Sequence, residues 1–560
     1  MSEKKKVLVS IAWPYANGDL HVGHIAGAYL PADIYARYHR LAGNDVLVVS
    51  GSDSHGTPIT VRADQEGVSP REIFERYHTR FLETQRDIGI SYNLFTHTDT
   101  PNHHRVSQDI FLGLLHNGYL YVEKQQQYYS EVSQQFLPDR YVEGTCPYCD
   151  YAEARGDQCD NCGRLLDALE LKNPRSKIDG ATPVIRETEH FFLDLEKLEP
   201  RVLDYLQTGK EEWRPNVLKF SLNYVKGGLK GRPITRDIEW GIPVPLDGYP
   251  GKRLYVWFEA VIGYLSASME WAERSGDKDA WKRFWQGDVK SYYFVGKDNV
   301  PFHTIIWPAM LMGHGGLSLP YDVPANEFLT IKGRRLSTSR NWAVWLPDYL
   351  ERYDPDALRY FLSINMPEDG DTDFSWQEFV RRNNDELVAT YGNLVNRVLT
   401  ITFRNFDGKV PTPGKIDDRS AALLEKARQT FNDVDGMIGK CYFRETIRTV
   451  LSLSQEANRY LDEKAPWKTI KVNREDAATA LYVALSVISH LKTMLSPFLP
   501  FTCAKLHKYL GLPGSIEDAG WAVAKIVPGQ QLVKPEILFV KLDDSVVEKE
   551  DAKLEGGRAA

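Results

Sequence analysis

Two histidines, His21 and His24, flank Gly23 directly behind the segment Pro14-Tyr15-Ala16-Asn17-Gly18. The run Val7 to Ile11 ahead of them reads as a buried strand, Pro-Tyr-Ala-Asn-Gly is turn chemistry, and Ile25 to Arg40 carries apolar and small residues at helical spacing. The pair is therefore expected where a strand–loop–helix unit opens its helix. Free backbone N–H groups and the positive end of the helix dipole receive phosphate at such a place. Gly23 is expected to let a nucleotide come close to the backbone. Imidazole N–H groups can then reach phosphate oxygens as charge builds up during transfer. A capped helix with two surface histidines fits the isolated motif equally well, so the rest of the chain has to decide.

A second group lies more than 300 residues on, in the basic stretch Lys332-Gly333-Arg334-Arg335-Leu336-Ser337-Thr338-Ser339-Arg340. Gly333 gives mobility, Arg335 and Arg340 give fixed charge, and Ser337 and Ser339 give donors. That set can clamp a pyrophosphate leaving group. A third group, Cys146-x2-Cys149-x9-Cys159-x2-Cys162, has the spacing of a metal site in a chain without a secretory leader. Four thiolates suit tetrahedral Zn²⁺ with no open position, hence a structural ion. Iron also takes four thiolates, but Pro147-Tyr148, Asp160-Asn161 and Gly163 are the surroundings of zinc knuckles. The other two cysteines, Cys441 and Cys503, read as core.

These residues need a scaffold, and 560 residues are too many for one core. A net charge of −8 excludes a protein that holds nucleic acid by bulk positive charge, and leaves open a local patch. Lys4-Lys5-Lys6 precedes a short apolar run without a cleavage pattern, and no segment approaches the ~18 apolar residues of a membrane helix, so no membrane association and a cytoplasmic location are expected.

Strand and helix signals alternate over the first part of the chain, with a second strand at Asp45–Ser50 ending in the polar loop Gly51-Ser52-Asp53-Ser54-His55-Gly56-Thr57. This is a βαβ pattern with a parallel sheet, and both loops should line one crevice at the carboxyl ends of the strands. The texture breaks at about Gly118, where an insertion with the cysteines begins, and resumes near residue 233. Further strands are expected at Ser291–Asp298 and Glu327–Ile331, and a helix at His303–Met312. Beyond about Arg381 the chain is helical. Val388, Tyr391, Leu394, Val395, Val398 and Leu399 form an apolar stripe, and further helices are expected at Asp417–Lys440, Tyr442–Glu463, Glu475–Met494 and Phe501–Leu510. The expected domains are 1–117 and 233–330 (the two halves of the α/β unit), 118–232 (the insertion), 331–385 (basic loop and adjoining region), 386–545 (helical bundle) and 546–560 (disordered tail).

With these motifs in place the chain resembles the class I aminoacyl-tRNA synthetases, whose two signatures look like His21-Val-Gly-His24 and Arg335-Leu-Ser-Thr-Ser339. Within that class it is most similar to the methionyl-tRNA synthetase family, through Ala12-x-Pro14-Tyr15-Ala16-Asn17-Gly18, Asp53-x-His55-Gly56-Thr57-Pro58, Tyr255-Val-Trp257, Ile262-Gly-Tyr264, Gly296-Lys-Asp298, Phe302-His303, Trp307-Pro308, Asn393-x3-Arg397 and Ala465-Pro466-Trp467. The resemblance covers nearly the whole chain, in order. It implies a Rossmann-like catalytic domain split by a zinc-binding insertion and followed by an all-α anticodon-binding bundle. It also implies ATP-dependent activation of methionine, then transfer to the terminal ribose of tRNA(Met), with Mg²⁺ accompanying ATP and the protein acting as a monomer.

The family's roles carry over as follows. His21, His24 and Arg335 would act on the phosphates, with Asn17, Gly23, Asp298, Lys332, Ser337, Ser339 and Arg340 around ATP. The methionine pocket would comprise Ala12, Trp13, Tyr15, Trp257, Ala260, Val261, Tyr264, Phe302 and His303, with Asp53 on the substrate ammonium. An apolar, aromatic pocket suits a long polarizable thioether. Asn393, Arg397, Pro466 and Trp467 would meet the anticodon, although Trp467 equally suits a staple between two helices. Two departures stand out. The basic loop commonly has lysine at both charged places, and here these are Arg335 and Thr338, leaving Lys332, Arg334 or Arg340 to replace the second. Trp13 stands where many members carry leucine.

Overall fold

A computed structural model of the chain describes residues 4–138, 141–156, 159, 161–162, 166–338 and 341–556. Its N-terminal half is built on four parallel strands, β1 (Lys6–Ile11), β2 (Asp45–Ser52), β3 (Leu94–His97) and β4 (Lys290–Phe294), in the order β4-β1-β2-β3. β1 is the hub, with Val7 opposite Val46 on one side and Lys290 on the other. It is buried from Val7 onward, as expected of a strand covered on both faces. The order reverses between β1 and β4, so a crevice opens beyond their carboxyl ends. β3 had no separate signal in the sequence, because four residues are too short to show a period.

The chain between β3 and β4 includes the insertion. Leu120–Ser130 and Val184–Leu193 pair antiparallel, from Leu120↔Leu193 to Tyr129↔Val184, and the cysteines sit on a separate small sheet of Val142–Thr145, Ala154–Arg155 and Lys172–Ser176. The strand expected at Glu327–Ile331 is the shorter β5 (Leu329–Ile331), and it stays outside the main sheet. It pairs antiparallel with β6 (Arg334–Arg335) and parallel with β7 (Thr372–Phe374). The basic stretch is thus partly a hairpin, with Lys332 and Gly333 in the left-handed region at its turn.

The first helical run starts at Val22, widens into π turns over Ile25–Tyr29, and continues as α1 (Leu30–Leu41). Pro31 explains the widening. It has no N–H to return, and in an α-turn its ring would press on the carbonyl four residues back. The Ala26 carbonyl, five residues before Pro31, accepts instead from Nδ2 of the buried Asn326 at 2.7 Å. The same device recurs where π turns over Phe302–Ile306 precede Trp307-Pro308. Both widened stretches border the crevice, in keeping with the tendency of π turns to occur at functional sites.

Two more helices matter for the site, α2 (Thr57–Glu66) after the β2 loop and α3 (Val256–Arg274). Helix α4 (Pro355–Ile364) leads to a bundle of α5 (Asn393–Asn405), α6 (Asp418–Gly439), α7 (Phe443–Lys464), α8 (Arg474–Leu495) and α9 (Pro500–Tyr509). Helix α8 is long and apolar enough to cross a membrane, contrary to the reading that no segment comes close. It is the mostly buried centre of the bundle, which is why it is apolar all round.

The segment expected to be a disordered tail is largely a helix, α10 (Ser545–Gly556). Leu554 and Glu550 are buried, and Glu550 accepts from Tyr353 Oη at 2.8 Å and pairs with Arg352. The charge that suggested disorder is spent on these pairings. Residues 557–560 lie outside the described residues. Between the two halves, the fully buried Arg359 of α4 donates to Asp33 (2.7 Å) and to the carbonyls of Phe498 and Pro497.

Candidate active site

The histidine pair opens the first helix in an unusual way. His21 is the N-cap residue, and its Nδ1 accepts from the Gly23 N–H at 3.1 Å, while Nδ1 of His24 accepts from the His21 N–H at 3.1 Å. This is a capping box built from imidazoles, where serine and glutamate would ordinarily serve. Accepting at Nδ1 fixes the tautomer, so each neutral ring carries its proton on Nε2. The rings stack at 3.8 Å between centroids. Burial, with the neighbouring ring adding to it at His21, holds His21 well below its usual range and His24 at about 4. Both are neutral N–H donors at pH 7.

Gly23 has a reason beyond the one expected. A Cβ there would stand 3.0 Å from the His21 ring and 3.5 Å from Leu336 of the basic stretch. Its bareness makes room for the capping imidazole, and its backbone also lines the cleft. Gly18 is similar, since a Cβ would meet Thr338 at 2.8 Å. The two signature segments, far apart in sequence, are in contact through two glycines.

A cleft of about 380 Å³ opens at the switch between β1 and β4. It is lined by Ala12 and Trp13 after β1, His21, Gly23 and His24 at the helix start, Asp298 after β4, and Arg335 from the hairpin. The Arg335 guanidinium lies 4.0 Å from the centre of the Phe328 ring. Of the other residues assigned to ATP, Asn17 sits at the turn beside it, Ser337 bridges to Trp342, and Lys332 turns away to Asp551 and Glu555 of α10, at 3.2 Å each. Ser339 and Arg340 lie outside the described residues.

The aromatic residues expected around an amino-acid side chain gather next to this cleft. Trp257, Ala260, Val261 and Tyr264 recur at i, i+3, i+4 and i+7 on α3, one face of a helix. Trp257 stacks on Phe302 at 4.3 Å and meets Tyr15 edge-on at 6.2 Å. His303 donates from Nδ1 to the Asn299 carbonyl and accepts at Nε2 from Tyr264 Oη, 2.7 Å away. Burial lowers it to about 4, so it stays neutral. Trp13 occupies a slot that only glycines permit, since a Cβ on Gly51 or Gly263 would fall 2.0 or 2.8 Å from its ring. The extra size of Trp13 over leucine is thus accommodated by two bare backbone positions.

Asp53 lies beside Tyr15, its chain bridged to that residue and its carboxyl buried. Burial and the nearby Glu259 charge push that carboxyl well above the usual range, a state that an incoming cation would reverse. Beneath it is a network that the motifs did not reveal. His55 bonds Glu259 (3.0 Å) and faces Asp99 (3.5 Å), and Glu259 also bonds His103 (2.6 Å). Burial opposes the charge on His55, but these carboxylates outweigh it and raise the ring to about 9. The clue in the sequence was Glu259 in the first turn of an otherwise apolar helix.

Two sets among the described residues could hold a metal. The sulfurs of Cys146, Cys149, Cys159 and Cys162 lie within 4.8 Å of one another, with Cys146–Cys162 at 3.9 Å and Cys149–Cys159 at 3.6 Å. A tetrahedron with Zn–S of about 2.3 Å has edges of roughly 3.8 Å, so the set fits zinc. His55, Asp99 and His104 also converge. There, however, Arg71 already holds Asp99 at 2.6 Å and the charged His55 fills the place of a cation.

In the bundle, Arg397 stacks on Trp467 (4.4 Å to the ring centre) and pairs with Asp462 at 2.9 Å. Asn393, one turn before Arg397 on α5, is half-buried, and Pro466 is buried at the start of its own short helix.

Comparison with known proteins is consistent over the whole length. A family model described as tRNA synthetases class I (M) matches residues 7–399, and one for the anticodon binding domain of methionyl tRNA ligase matches 410–559. A methionine–tRNA ligase of Dehalococcoides mccartyi is 58% identical, over 99% of this chain and all of its own. One from Thermomicrobium roseum is 53% identical, with 98% of each chain covered. The crystal structure of Mycobacterium tuberculosis methionyl-tRNA synthetase bound by methionyl-adenylate superposes with a TM-score of 0.80 at 25% identity, covering 96% of this chain and 100% of that one.

Proposed function

The chain belongs to the class I methionyl-tRNA synthetase family, and from that premise we propose how its own residues carry out the reaction of a methionine–tRNA ligase. The observation that supports this reading best is the pair of neutral, Nδ1-capped histidines facing Arg335 across the cleft. In the first step the methionine carboxylate attacks the α-phosphate of ATP and pyrophosphate leaves. The carboxylate is already ionised, so no general base is needed, only position and charge stabilisation. His21 and His24 donate from Nε2 to the phosphate oxygens, and Arg335 holds the leaving group. Mg²⁺, arriving with ATP, neutralises the outer phosphates. Asp298 lies where it can take the ribose or the base.

Methionine seats its thioether among Trp13, Tyr15, Trp257, Ala260, Val261, Tyr264, Phe302 and His303, with Ala12 at the junction to the nucleotide. Its ammonium meets Asp53, whose carboxylate regains its charge on binding. The network of His55 and Glu259 fixes that carboxylate from below. The second step passes methionine to the 3′-terminal ribose of tRNA. The bundle face with Asn393, Arg397 and the Pro466–Trp467 corner reads the anticodon, an amide and a stacked guanidinium being suited to the edges of splayed bases. The location is proposed to be the cytoplasm and the working unit a monomer.

Exchange of labelled pyrophosphate into ATP tests the reading. Exchange should depend on methionine and on no other amino acid. Exchange driven by a different amino acid would remove the assigned specificity. Arg397→Ala should leave that exchange within about twofold and lower tRNA charging by roughly 10- to 100-fold, the loss of a stacked, charged contact to a base. Equal loss of both steps would count against an anticodon role.

One Zn²⁺ held by Cys146, Cys149, Cys159 and Cys162 fastens the tip of the insertion and supplies no chemistry to the reaction. The purified protein is expected to contain about one zinc per chain by elemental analysis. Cys159→Ser should lose it and make segment 141–176 sensitive to protease. Retention of full metal content by that variant would disprove the ligand set.

A further inference from the structure

The second cation of the signature loop is missing in this chain, where Thr338 stands in its place, and the reaction still needs charge where pyrophosphate departs. The cations first considered do not fill the gap. Lys332 is held by Asp551 and Glu555. Arg334 neighbours Arg335 on β6, so the two side chains point to opposite faces, and Arg334 lies over Trp342 instead of Phe328. Arg80, near the same turn, is paired with Asp19 at 2.6 Å. Arg340 lies outside the described residues.

We propose that Arg62, on the scaffold helix α2, is the missing cation and a catalytic residue that holds the leaving pyrophosphate opposite Arg335. This rests on the reading of the cleft as a methionine-activating site. Thr338 Cγ2 and Arg62 Nη1 flank the same point, 2.8 and 4.0 Å from where a Cβ on Gly18 would stand. Gly18 itself is three residues before His21, on the turn that leads to the phosphate-binding histidines. A lysine at 338 would extend its ammonium by a four-carbon stem, and the two distances place Arg62 Nη1 within that stem's reach, no more than about 6.8 Å from Thr338 Cγ2.

Arg62 is also prepared for the task. Nη1 donates to the Asn17 carbonyl at 2.7 Å, Nε bonds Glu66 at 2.6 Å, and the guanidinium lies 4.9 Å from the centre of the Tyr77 ring. Among the described residues its Nη2 makes no hydrogen bond, which leaves a donor for an anion. Glu66 does not cancel the charge, because it is shared with Arg76 at 2.6 Å. Two guanidinium groups around one carboxylate leave a net positive charge beside the turn. A cation on a helix is held by its scaffold, so the loop here needs only Arg335.

The test is methionine-dependent pyrophosphate exchange by wild type, Arg62→Gln, Thr338→Lys and the double variant. Arg62→Gln should lower kcat about 100-fold with the KM for methionine within about twofold. Adding Thr338→Lys should recover at least about tenfold of that loss, because it restores a cation from the other side of Gly18. Arg62→Gln activity within about threefold of wild type overturns the proposal. So does a loss that Thr338→Lys does not relieve, since Arg62 is then only part of the scaffold. An absence of methionine-dependent exchange in the wild type is a separate result, and it removes the reading of the reaction itself.

Discussion

His21→Asn is expected to fold with unchanged stability and to activate methionine about 10²- to 10³-fold more slowly. Asparagine is among the best N-cap residues, so its Oδ1 can take over the bond from the Gly23 N–H. The backbone N–H of residue 21 still donates to His24 Nδ1. What the substitution removes is the Nε2–H of a ring that lines the cleft, and loss of one such donor to a developing charge costs roughly 10²–10³ in rate. His21→Ala loses donor and cap together, so it should match the slow rate and also lower stability by about 1 kcal/mol. Pre-steady-state formation of adenylate, read alongside thermal melting, separates the two contributions. Equal rates for wild type and His21→Asn would mean that the histidine is there only to cap the helix.

Arg359→Met should destabilise the protein by about 3–5 kcal/mol, the cost of breaking a fully buried ion pair from one side. Its guanidinium joins Asp33 of α1 to the carbonyls of Pro497 and Phe498 between α8 and α9. Burial alone would raise Asp33, but Arg37 and Arg359 outweigh it and hold the carboxyl below its usual range. The folded carboxyl is therefore the stronger acid, and the stability it contributes is present above about pH 4 and lost as the pH falls further. Urea unfolding followed by tryptophan fluorescence reads the change. Combined with Asp33→Asn, the two losses should be well short of additive because the residues share one interaction. A shift below about 1 kcal/mol would show that the catalytic half and the bundle are held together elsewhere.

Much of this architecture was legible in the sequence, and the parts that were not share a cause. The bundle helices fall within a residue of their expected ends because local signals mark them, Asp417 and Asn473 as the N-caps of α6 and α8 and Pro500 at the start of α9. The apolar run of β1 and the His21–His24 turn are local patterns and were equally plain. The steric demand on Gly23 was not, since the His21 ring it accommodates is placed by side-chain packing. The tail was misread for the same reason: the charges of α10 look solvated until Arg352 and Lys332 are placed beside them. Arg62 and the buried Glu259 network belong to no motif and became visible only through what stands next to them. The π turns over Ile25–Tyr29 and Phe302–Ile306 were within reach, since proline follows at the second position after both, but proline alone does not tell a widened turn from a broken helix, and the π turns over Asn383–Gly392 have no such proline.

In the proposed mechanism His21 and His24 hold phosphate and do not move protons. Their folded-state basicity lies below that of a free imidazole, so both are neutral above about pH 6.5, and protonation as the pH falls towards 4 undoes the cap and its stability. Nitrogen-15 NMR of the histidine-labelled enzyme, with the two rings assigned by His21→Asn and His24→Asn, reads this state directly. At pH 7 both rings should be neutral with the proton on Nε2, and neither should titrate between pH 8 and 5.5. An imidazolium at pH 7, or a proton found on Nδ1 of either ring, would contradict the mechanism.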